Sequence, residues 1–118
     1  MATTPVSIAR VTDGGVTNVY TITWEGVGNA DVGAPAAMAG GSDRSVTMTG
    51  TFGSATVVLQ GSNDGTNWFT LTDPQGSAIS KTSAAMEGIV ELTRFIRPSS
   101  SGGTGTDVDV IVLVKGQF

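Results

Sequence analysis

The side chains able to do chemistry in this sequence are few, and their spacing limits what they can do. None of the 118 residues is histidine or cysteine. That removes the commonest general base near neutral pH, the commonest zinc ligand and every thiolate site. Ser and Thr are abundant, but without histidine, and with Lys81 and Lys115 in no nucleophile motif, no catalytic triad can be assembled. Asp107 and Asp109 share one face of a predicted strand, with Asp64 elsewhere in the sequence. Paired carboxylates serve glycosidases as acid and base, and serve calcium as ligands. Neither use has its supporting pattern here, so a solvated strand face is expected. Gly102-Gly103-Thr104-Gly105-Thr106 is followed by neither Lys-Ser/Thr nor a helix, so it is not a phosphate loop. The expectation is a protein that is not an enzyme, with no catalytic residue, no cofactor and no metal.

Two constellations suit binding rather than chemistry. Trp68 follows Asn63-Asp64-Gly65, which sets an aromatic ring beside amide and carboxylate hydrogen-bond partners, as in a sugar platform. The competing reading is a hairpin in which Asp-Gly supplies the positive φ and Trp68 packs into the core; the strand resuming after Gly65 favours the core. Arg94 and Arg97 flank Phe95-Ile96 and precede Pro98. They suit acidic neighbours on another subunit, yet their opposite parity prevents one patch on a regular strand. One solvated arginine and one internal ion pair are expected.

These residues must be positioned by strands, because apolar and polar residues alternate with period two through most of the chain. Strands are predicted over 6–11, 16–25, 45–52, 55–62 and 108–115, the last apolar on both faces as in a central strand. Residues 57–71 form the hairpin. Gly50 marks a bulge or a close crossing, Asp73-Pro74-Gln75-Gly76 a turn, and 77–81 a short strand. A helical turn is expected over 83–87, strand-like runs over 89–92 and 94–98, and a mobile polar loop over 99–106. Residues 1–5 read as a flexible N-terminal arm. Residues 26–41 read as a Gly/Ala-rich loop or edge segment, where Pro35 confines any strand to an edge. Small side chains there allow close backbone approach, which makes the segment either an assembly surface or a plain connection. Eight to ten strands with closely spaced turn signals predict one all-β domain over 1–118, an antiparallel β-sandwich or jelly roll.

The net charge is −4, and 14% of residues are charged, against roughly 25% in an average domain. Six basic residues spread along the chain offer no footprint for nucleic acid. The opening residues lack the pattern of a signal peptide, and no apolar run is long enough to span a bilayer, so a protein soluble as made, with no membrane partner, is expected. Low charge density also suits a surface that is largely covered by other subunits, although Thr-rich strands make uncharged surfaces by themselves.

The stretches 46–53, 56–69 and 71–76, with Arg94-Phe95-Ile96-Arg97-Pro98 after them, resemble small virion proteins of tailed bacteriophages, and within these the head decoration, or cement, proteins. The Ser-Asn-Asp-Gly-x-x-Trp hairpin also resembles that of discoidin-like and other carbohydrate-binding sandwiches. The first resemblance implies a β-sandwich on a capsid surface, made in the host cytoplasm, a structural protein bridging subunits of the major capsid protein lattice as a homo-oligomer, with a trimer favoured. The second implies a carbohydrate-binding or host-adhesion module of a phage tail or cell-surface protein. Exposure of Trp68 separates the two, because a sugar platform needs an open ring.

Overall fold

The period-two alternation becomes two facing sheets in the computed structural model, which describes residues 3–12, 14, 18–37 and 41–116. The strands are β1 (Thr3–Thr4), β2 (Val6–Arg10), β3 (Val19–Val27), β4 (Val32–Gly33), β5 (Ala36–Ala37), β6 (Gly41–Thr51), β7 (Thr56–Ser62), β8 (Phe69–Thr70), β9 (Ser80–Lys81), β10 (Ala85–Gly88), β11 (Phe95–Ser101) and β12 (Asp107–Gly116). One sheet runs β10-β6-β12-β3-β2 and is antiparallel throughout. The other runs β1-β4-β11-β7-β8, with β5 against β11 and β9 against β7; only β1 and β4 pair in parallel. The protein is an all-β sandwich.

Alternation decides which residues meet between the sheets. Ile22, Trp24, Val46, Met48, Val110 and Val112 face inward from one sheet, and Val57, Leu59, Ile79 and Ile96 from the other, all essentially inaccessible to solvent. Burying a side chain of this size stabilises by roughly 1.5–3 kcal/mol, so these positions dominate the stability of the fold. Trp24 is the aromatic centre of the core, and its indole Nε1 donates to the Ala34 carbonyl at 2.8 Å. β12 is the middle strand of its sheet, as its sequence predicts, with Val108, Val110, Val112 and Val114 inward. One open side of the sandwich is closed by an ion pair at 2.5 Å between Lys81 on β9 and Glu87 on β10.

Several expectations need correction. Residues 83–87 make no helical turn; Ala85–Gly88 is β10, paired with β6 from Ala85↔Met48 to Gly88↔Ser45. The polar loop is shorter than expected, because Ser99, Ser100 and Ser101 belong to β11 and pair with Val58, Val57 and Thr56. β3 runs on to Val27, while positions 16 and 17 of the predicted strand lie outside the described residues. Thr3 and Thr4, in the predicted arm, pair with Val32 and Gly33. The Gly/Ala segment contributes β4 and β5 on either side of Pro35, and its small residues serve packing: a Cβ on Gly33 would stand 2.5 Å from Pro98 Cδ and 2.7 Å from Trp24 Cδ1. Residues 38–40 of that segment lie outside the described residues. Gly50 is the predicted close crossing, with φ of 124° and a Cβ position 2.3 Å from the Asp107 carbonyl oxygen.

Candidate binding site

The hairpin is wider than a two-residue turn. Between β7 and β8 lies a six-residue loop, 63–68, organised by two short side chains. Ser62 Oγ accepts from the Gly65 backbone N–H at 2.9 Å, and Gly65 takes the positive φ, 79°, read from the Asp-Gly pair. Asp64 accepts the N–H groups of Thr66 and Asn67 on Oδ1, both at 2.8 Å, and the Asn67 side-chain amide on Oδ2 at 2.7 Å. Those bonds, the backbone pair foremost, hold its carboxyl well below the usual carboxylate range. Asp64 is thus the keystone of a loop, with its oxygens already engaged.

Trp68 is not in the core, which corrects the expectation. It is half-buried on the outer side of the seven-stranded sheet, with the Arg97 guanidinium 4.0 Å from its ring centroid. Arg97 Nε donates to Gln60 Oε1 at 2.9 Å, so the expected internal ion pair is replaced by a stacked, hydrogen-bonded cation. Arg94 is exposed, 5.0 Å from the Phe95 centroid, and precedes β11, which begins at Phe95. Asp107 and Asp109 are exposed on β12, and Asp109 accepts the Gly26 N–H at 3.0 Å, far in the fold from the 63–68 loop. Among the described residues no group of three or more His, Cys, Asp or Glu could hold a metal, and no helix is long and apolar enough to cross a membrane.

A cleft of about 550 Å³ opens beside the loop, within the range of small-ligand sites. It is lined by Asn63, Asp64 and Asn67 of the loop, by Phe69 and Leu71 just after it, by Gly61 of β7, and by Glu91, Leu92 and Thr93. The register explains why it exists. Gly61 pairs with Phe69, one step beyond the contact in which the Leu71 N–H donates to the Leu59 carbonyl, so Phe69 points to the core side of its sheet. The opposite sheet does not reach that far, and Phe69 stands 70% exposed where alternation would bury it. Gly61 lets Thr93 and Leu71 pack directly on the backbone, because a Cβ there would stand 2.7 Å from the Thr93 side chain and 2.8 Å from Leu71 Cδ2. Glu91 accepts the Thr72 N–H at 2.8 Å on one oxygen and the Thr72 hydroxyl on the other. Partial burial pushes its pKa up, but the Thr72 bonds and the charge of Arg44 outweigh this and hold it below the usual value.

The second candidate surface is the outward face of the five-stranded sheet. One rung across all five strands reads Met86, Thr47, Ile111, Thr23, Ser7, and the rung two residues along reads Gly88, Ser45, Leu113, Thr21, Ala9. None of the ten residues is charged. Met86, Ile111 and Leu113 are 69%, 37% and 43% exposed. Charge returns beyond these rungs, with Asp43 and Lys115 at one end and Glu25, Asp107 and Asp109 at the other.

No family model matches the sequence, and no curated protein matches it significantly. Among solved structures, the fold is similar to that of the SPBc2 prophage-derived protein YomS, with a TM-score of 0.64 and 13% identity over 84% of this chain and 96% of that one. At that identity the likeness shows a shared fold. Weaker likenesses, at TM-scores of 0.41 and 0.37, are to the K1 cleaved adhesin domain of Lys-gingipain from Porphyromonas gingivalis (10% identity, 98% of this chain and 85% of that) and to the CBM32 of AlyQ (13%, 92% of each).

Proposed function

We propose that the chain is a non-enzymatic virion structural protein that decorates a phage capsid and bridges neighbouring capsid subunits through the outward face of its five-stranded sheet. The observation that carries this reading is the ten-residue uncharged field in a chain whose net charge is −4. An exposed field of Thr, Ser, Ile, Leu and Met costs little to desolvate and packs well, as the centre of an interface requires. Five strands about 4.8 Å apart, the longest of 11 residues at about 3.3 Å each, give a whole face of at most roughly 700 Å² in projection. One side of a standard stable interface buries about 800 Å², so this face suits one modest contact among many. On a closed lattice such contacts multiply in effect, and a homo-oligomer, with a trimer favoured, adds further to that. The fold shared with a prophage-derived protein is consistent with this setting.

The test uses capsids of the phage that encodes the chain, prepared without it. Added protein should bind them and raise their resistance to heat or low ionic strength, and Leu113→Glu, folded but charged at the centre of the face, should not. Binding by Leu113→Glu equal to the wild type would refute the assigned face, and no binding by the wild type would refute the decoration role.

A further inference from the structure

We infer that the cleft beside the 63–68 loop binds a neutral saccharide chain, with Phe69 as the stacking platform. The inference is independent of the capsid reading, since the cleft and the uncharged sheet face share no residue.

Three observations converge on that ligand. The first is the ring. Phe69 is 70% exposed on a side of its sheet where Gly61 and Leu71 are buried, and Leu92, 59% exposed, lines the same cleft. The negative face of an aromatic ring attracts the weakly positive C–H groups that line one face of an equatorially substituted pyranose. A wholly apolar occupant would leave the polar wall of the cleft without partners, at a cost in desolvation.

The second observation is that wall. Asn63 Oδ1 accepts the Arg94 N–H at 3.1 Å and Asn67 Nδ2 donates to Asp64 at 2.7 Å, so each amide is fixed by one end. The other ends, an NH₂ on Asn63 and a carbonyl oxygen on Asn67, remain for a ligand: one donates and one accepts, which matches hydroxyl groups that do both. Because the fold already orients both amides, little side-chain entropy is lost on binding.

The third observation is charge. Asp64 and Glu91 line the cleft, both carboxyls are held below their usual range, and no Lys or Arg is among the lining residues. Phosphate, uronic acid and sialic acid are therefore repelled, and an uncharged sugar is selected. An aromatic wall, amides of both senses and a negative field together describe a site for neutral pyranose units.

The probes are cellotetraose and chitotetraose, two neutral β-linked chains with flat C–H faces, and tetragalacturonate as the acidic control. Each is titrated into ¹⁵N-labelled full-length protein. At least one neutral chain should shift the amide signals of Asn63, Asn67, Phe69 and Leu92, saturating below about 5 mM, the weak range expected of a shallow site. Tetragalacturonate should shift none of them. Phe69→Ala should weaken binding at least tenfold with an unchanged melting temperature, and Phe69→Tyr, which keeps the ring, should restore it. Absence of shifts at these residues with both neutral chains, equal binding by Phe69→Ala, or binding of the acidic chain would each overturn the inference. Shifts at the cleft on adding the phage's own capsids but not on adding either sugar would also overturn it and assign the cleft to the lattice. Phe69→Ala should still bind capsids and Leu113→Glu should still bind sugar, so failure of one reading is distinguishable from failure of the other.

Discussion

Trp68 and Arg97 offer the sharpest check on how the hairpin side of the sandwich is held. The ring is half-buried and carries the guanidinium 4.0 Å from its centroid. Removing a fully buried Trp costs roughly 3–5 kcal/mol; half of that, with the stacked cation included, puts Trp68→Ala at about 2 kcal/mol. A partly desolvated cation–π pair is worth about 1 kcal/mol. Arg97→Met keeps the aliphatic stem over the ring and removes the charge, so a double-mutant cycle of Trp68→Ala with Arg97→Met should return a coupling of about 1 kcal/mol. For a domain of 118 residues an entropy of unfolding near 2.1 cal/mol/K per residue converts each kcal/mol into about 4 °C. Thermal unfolding should then show Trp68→Ala about 8 °C below the wild type. Leu59→Ala, at a position with no exposure, serves as the full-burial yardstick and should cost at least as much from a much smaller side chain. A coupling below about 0.3 kcal/mol would refute the stacked pair. A cost for Trp68→Ala near 5 kcal/mol would mean that the ring belongs to the core after all.

Backbone freedom and loop chemistry give three more expectations. Gly65→Ala should lose only about 1 kcal/mol, from its φ of 79° alone, because the nearest atom to a Cβ there is a Phe95 ring carbon at 3.5 Å. Gly53→Ala combines a φ of 59° with a Cβ position 2.0 Å from the Thr104 carbonyl oxygen, and denaturant melts should show a loss of about 3 kcal/mol or more. The Asp64 carboxyl is lowered from its ordinary 3.8 in the folded state, so its contribution is complete above that value and is lost as pH falls below it. The melting-temperature gap between wild type and Asp64→Ala should therefore be constant from neutral pH to about pH 5 and close towards pH 2; a gap that widens with acid would contradict the assignment. Leu113→Glu, at a 43% exposed site, should change stability by no more than about 0.5 kcal/mol, which circular dichroism on heating will test.

The long strands were legible because each has one dry face: β3, β6, β7 and β12 alternate cleanly, and burial enforces the period. β10 was not, because Ala, Met and Glu are helix formers and only pairing with β6 makes Ala85–Gly88 a strand. The serines of β11 were hidden for the same reason, their backbone being fixed by β7 while the side chains carry no preference. Trp68 was misplaced although a signal existed: it is three residues from Leu71, so on one strand the two cannot both face the core, and Leu71 is the buried one. Phe69 has the inward parity of Leu71, yet where the opposing sheet ends is a property of two strands distant in sequence. No local pattern carries that information, which is why the cleft emerges only from the assembled sandwich.

The position of β12 has a consequence for how the protein comes into being. It follows both β3 and β6 in sequence and lies between them in the sheet, where those two strands are not paired with each other. While residues up to 106 are being synthesised, β3 and β6 each offer a bare edge and half of a dry face with nothing to complete either. The five-stranded layer therefore closes by insertion of β12 between two earlier strands rather than by adding strands in order, a topology of non-local pairings that folds slowly and exposes edges in the interval. The rate of that insertion sets how long those edges stay open to pairing with another strand.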